Sequence, residues 1–81
     1  MPYIEKDTRE VLDNYPLSCE APGELNYWFT RIIKAYVNYK GLKYQTINDV
    51  VGALEGAKLE FYRRVVVPYE EGKRESNGDV Y

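Results

Sequence analysis

TINDVVGALEGAKLEFYRRVVV, residues 46–67, decides the fold. Ile47, Val50, Val51, Leu54, Ala57, Phe61 and Val65 recur at three- and four-residue steps, the spacing that gathers side chains on one face of a helix. Thr46 stands just before this run with Asp49 three residues on, a capping-box variant that uses Asp in place of Glu or Gln. Arg63 and Arg64 fall in the last third, where cations suit the negative end of the helix dipole. Pro68 disfavours helical geometry at Val67 and is expected to end or kink the helix there. Three consecutive valines favour sheet, but a strand with no partner run is the poorer reading.

A second helix is expected over residues 24–40, ELNYWFTRIIKAYVNYK. Leu25, Trp28, Phe29, Ile32, Ile33, Tyr36 and Val37 keep the helical spacing without a gap, and Gly41 is a natural stop. The short linker after it favours an antiparallel hairpin with the long helix. Gly52, Ala53, Gly56 and Ala57 thin one side of the long helix, which suggests close approach by another backbone. Ahead of both helices, residues 1–6 read as an arm. A short helical pattern opens at Asp7, with Glu10 three residues later and Val11 and Leu12 as its apolar side. Pro16 and Pro22 then punctuate the chain, and LSCEA between them has room for one helical turn. After Pro68 the chain turns polar; Asn77-Gly78 marks a turn, and the closing Asp79-Val80-Tyr81 suggests a tail, residues 69–81, that folds back. The expectation is one all-α domain: interrupted helix about 7–20, helices 24–40 and 46–67, and a tail.

Composition narrows the function classes. Eighty-one residues suffice for one small domain with a marginal core, so oligomerisation is a natural source of further burial. The net charge of -2 comes from mixed acids and bases, which makes nucleic acid an unlikely partner. No run is long and apolar enough for a membrane span, and one cysteine, Cys19, fits a reducing cytoplasm. Without histidine, neither His-based catalysis nor a zinc site is expected, and no phosphate loop or metal-ligand spacing appears. Nine tyrosines, against two Phe and one Trp, suit half-buried positions and interfaces. No catalytic residues, cofactor or metal are expected, and the chain does not read as an enzyme.

Three clusters are candidate binding residues. On the long helix Glu55, Lys58, Glu60, Arg63 and Arg64 form a solvated ion-pair face, with Glu60 four residues from Arg64 and Glu55 within reach of Lys58, or else Arg63 and Arg64 hold an anion such as phosphate, with Tyr62 or Tyr69 stacking on a planar ring. Asn26, Tyr27, Thr30 and Arg31 cluster on the second helix, where Asn26 and Thr30 are four apart. Tyr81 closes the tail. These residues are consistent with a nucleotide-like small molecule or a partner protein.

The stretches MPYI, GELNY, Thr30-Arg31, GLKYQTINDVVGALE, AKLEFYRRVV, PYE and the final NGDVY together resemble a family of small uncharacterised proteins from bacteria and their phages. The likeness covers most of residues 23–81 and weakens between Pro16 and Pro22, where the chain is short. It implies a helical fold and an ordered tail, and no particular chemistry. The leading expectation is a non-enzymatic homo-oligomeric binding protein, sequestering a small anionic aromatic ligand such as a nucleotide signal; the alternative is a structural adaptor working through helix–helix contacts.

Overall fold

In the computed structural model, which describes residues 4–14 and 18–81, every regular element is helical. These are α1 (Lys6–Asp13), α2 (Pro22–Lys40), α3 (Tyr44–Phe61), a π-helical turn (Tyr62–Val66) and α4 (Val67–Asn77). They fall into two units, Pro2–Asn48 and Asp49–Tyr81. Residues 1–3 of the expected arm, and residues 15–17 of the expected interrupted helix 7–20, including the first residue of the LSCEA turn, lie outside the described residues.

In the first unit, α1 starts one residue before the expected Asp7, which sits in its first turn instead of capping it. The helical turn expected over LSCEA does not form at Ser18–Glu20, which have no regular structure. The chain there is directed into α2, whose N1 residue is Pro22, where a missing N–H costs nothing. Glu24 reaches back to accept from the Ala21 N–H at 3.1 Å. Ala21 has no side-chain acceptor, so its carbonyl takes the Glu24 and Leu25 N–H groups at 3.0 and 3.2 Å. α2 thus begins two residues before the expected start and stops at Gly41, whose φ of 87° is a left-handed value.

α3 starts earlier than the capping-box reading requires. The Lys43 carbonyl accepts from the Ile47 N–H at 3.0 Å, so the helix is entered at Tyr44 and Thr46 is its third residue. Thr46 is only 1 % exposed, which is why its hydroxyl is not a free cap at a solvent-facing helix end.

Beyond Phe61 lies the main departure from the sequence reading. The helix does not end before Pro68. The backbone widens into the π turn, with the Val67 N–H donating to the Tyr62 carbonyl five residues back. A proline ring in a regular α-helix collides with the carbonyl four residues earlier, here that of Arg64. The wider turn relieves that collision, and Pro68 becomes a first-turn residue of α4. What reads as a polar tail is therefore helical to Asn77 and stops at Gly78, again with φ 87°. The Gly78 N–H caps the Arg74 carbonyl at 2.8 Å, and the Asp79 carboxylate lies 3.9 Å from the same arginine's guanidinium.

Among the described residues no apolar side chain is buried. A Cβ at Gly52 would meet nothing within 4 Å among the described residues, so the close approach expected on that side is not seen there. The two kinds of glycine predict opposite outcomes. Gly41→Ala should lower stability by about 1 kcal/mol, because Cβ is strained at that φ. Gly52→Ala should raise it by about 1 kcal/mol through helix propensity alone. Urea melts followed by circular dichroism check both signs.

Candidate functional site

The densest polar cluster sits where α3 passes into the π turn. Glu60 is the last polar residue of α3, and the two arginines are the second and third residues of the turn, three and four residues on from Glu60. That spacing lets one carboxylate take both. Arg63 donates to Oε1 of Glu60, and the Arg64 Nε donates to Oε2 at 2.8 Å. The glutamate side chain is largely covered, at 19 % exposure, whereas the arginines are 67 and 69 % exposed. Chemically this is a surface ion-pair fork. An incoming phosphate would have to displace Glu60 and overcome its charge before claiming either guanidinium.

Two shallow clefts flank the cluster within the same unit. One, about 540 Å³, is bounded by Gly56, Leu59, Glu60, Tyr62, Arg63 and Val67. The other, about 560 Å³, lies along α4 where the chain turns back after Gly78, with Tyr62, Val66, Arg74, Val80 and Tyr81 on its walls. Tyr62 is common to both. Arg64 and Tyr69 border neither; Tyr69 instead has the Lys73 ammonium 5.6 Å from its ring centre. Tyr81 lines the second cleft but its side chain is fully exposed, and its N–H donates to Asp79 at 2.9 Å.

The remaining candidates belong to the first unit, on α2. The Thr30 hydroxyl donates to the Asn26 carbonyl at 3.0 Å, so it is engaged with its own helix. Arg31 lies over the Trp28 ring at 5.6 Å, a cation–π contact absent from the sequence reading although the i, i+3 spacing permits it. Tyr27 is exposed. Lys58 pairs with Glu55 at 3.8 Å, a solvated pair on α3. No group of three or more His, Cys, Asp or Glu side chains that could hold a metal exists among the described residues. Among those residues no helix is long and apolar enough to cross a membrane.

The larger surface feature is apolar. Leu25, Phe29 and Ile32 on α2 are about half exposed, as are Ile47, Val51, Leu54, Leu59 and Phe61 on α3 and Val65 in the π turn. Single exposed apolar residues are ordinary; rows of them at helical spacing are not.

Comparison with known proteins adds a family and no activity. The family described as Domain of unknown function (DUF6899) matches residues 1–80. No curated protein and no solved structure matches the chain.

Proposed function

We propose that this chain, which belongs to the DUF6899 family, is a non-enzymatic binding protein that acts as a homo-oligomer through helix–helix contacts. One observation carries the reading: every helix longer than two turns presents large apolar side chains, and none of them is buried. Ordering a residue costs about 1–2 kcal/mol of backbone entropy, which folded chains offset chiefly by apolar burial. Such faces call for a neighbour, and for a small domain a further copy is the simplest one.

Light scattering and native mass spectrometry of the full chain test this. A multimer with fully helical circular dichroism is the expected result. A stable monomer at every concentration overturns it.

Sequestration of a nucleotide-like molecule is the second reading, favoured by the adjacency of Tyr62 and Arg63 on one cleft wall. On that reading Arg63→Ala with Arg64→Ala abolishes nucleotide binding and spares assembly, because exposed pairs contribute only about 0.2–1 kcal/mol each to stability. Unchanged affinity, or no affinity in the parent chain, discards it. Glu60 engages both arginines, which places this reading behind helix–helix assembly.

A further inference from the structure

The π turn has a geometric effect on the second unit. In a continuous α-helix the eight residues from Phe61 to Tyr69 rotate the chain about 80° past a whole number of turns. Five of those steps run through the π turn, which advances only about 80° per residue. The deficit brings Tyr69 back into line with Phe61. Val50, Leu54, Ala57, Phe61, Val65 and Tyr69 therefore form one straight stripe across the proline, roughly 28 Å long at 1.5 Å per residue. Leu54, Phe61, Val65 and Tyr69 are 42, 57, 52 and 62 % exposed.

The charges beside this stripe are ordered. Along one edge, in chain order, stand Glu55, Lys58, Glu70 and Lys73, acid, base, acid, base, followed by Arg74, which faces its own Asp79 at 3.9 Å. Antiparallel helices related by a twofold axis set the same edge of each against the other. With the axis beside residue 64, Glu55 faces the partner's Lys73 and Lys58 faces the partner's Glu70, and symmetry repeats both. The same register sets the partner's Val65 between Phe61 and Val65, and the partner's Tyr69 between Ala57 and Phe61, a large ring against a small side chain. In a parallel pair this edge meets the partner's opposite edge instead, so these four charges do not face one another.

We propose that this stripe is the contact between two copies of the chain, packed antiparallel about a twofold axis beside residue 64. The proposal rests on the homo-oligomer reading and specifies its surface. A helix pair of this length buries on the order of 1,200 Å² in total, the lower bound of a specific interface, so flanking charges have leverage over orientation and partner choice.

The test is a set of charge reversals in the full chain, read by sedimentation equilibrium with helicity monitored by circular dichroism. Glu55→Lys opposes two lysines across the axis and should weaken self-association about tenfold. Adding Lys73→Glu restores the attraction and should return the parent affinity. Adding Lys58→Glu to Glu55→Lys instead re-forms the pair within the helix but leaves like charges facing across the axis, so it should not restore it. A chain that associates yet ignores Glu55→Lys, or is rescued equally by either second change, overturns the stripe while leaving oligomerisation standing. A parent chain that is monomeric and folded overturns both, its stripe being covered from within the molecule.

Discussion

Phe61→Asp should dissociate the chain, weakening self-association by about 10³-fold or more. Burying a Phe ring is worth about 1.5–3 kcal/mol, the twofold axis counts it twice, and each factor of ten requires about 1.4 kcal/mol. Burying the new carboxylate without a partner adds to the loss. The control is Leu59→Asp. Leu59 and Phe61 are both 57 % exposed, so accessibility does not distinguish them. Two residues of α-helix separate them by about 200°, which sets Leu59 on the far side from the stripe. Leu59→Asp should leave association within about threefold of the parent, because a change on an uncontacted surface is worth roughly 0.5 kcal/mol or less. Equal effects of the two substitutions, measured by sedimentation, would mean that no single face is responsible.

The second large effect comes from changing helix phase without changing any stripe side chain. One alanine inserted between Gly56 and Ala57 turns Phe61, Val65 and Tyr69 about 100° away from Val50 and Leu54. Association should fall at least a hundredfold, while helical content is preserved because alanine is the best helix former. Deleting Val66 together with Pro68→Ala should do the reverse. A π turn amounts to one extra residue in a helix, so removing that residue yields a continuous α-helix in which Tyr69 follows Phe61 by seven positions and stays within about 20° of it. Replacing the proline matters, since inside an uninterrupted helix it costs about 3 kcal/mol. The deletion should keep its association where the insertion loses it. Loss in both would mean that the widened turn itself makes the contact.

The sequence carries much of this architecture in plain view. α2 is legible because its apolar spacing has no gap and it lies between Pro22 and Gly41, two residues with strong positional meaning. The turn at Asn77-Gly78 is legible too, although the helix that it closes is not. The passage through Pro68 is not. The rule that helices stop before proline compares a residue with its immediate neighbours, whereas the accommodation occurs across Tyr62–Val66. Once the helix is taken to end there, the polar residues of α4 read naturally as a tail, although polarity alone does not oppose a helix. Thr46 misleads similarly: it has the chemistry of a cap, but the helix is entered earlier, through the Lys43 carbonyl.

For the candidate residues, spacing reveals pairs and not groups. The Glu60–Arg64 pair follows from a four-residue separation; that the same carboxylate also takes Arg63 emerges only from side-chain geometry. That shared engagement turns two candidate phosphate ligands into a surface fork. Asn26 and Thr30 also read as outward-facing partners, yet the hydroxyl is spent on the backbone four residues back.

Trp28 gives the molecule a built-in optical reporter. It is the only tryptophan, it is half-buried, and the Arg31 guanidinium lies 5.6 Å from its ring centre. Indole emission responds to solvent and to nearby charge, so its wavelength reports the state of α2 without a label. The stripe carries no tryptophan. As the chain is diluted, sedimentation follows the assembly and Trp28 emission follows α2. Curves that coincide describe a single cooperative event; curves that separate mean that α2 keeps its structure after the copies part.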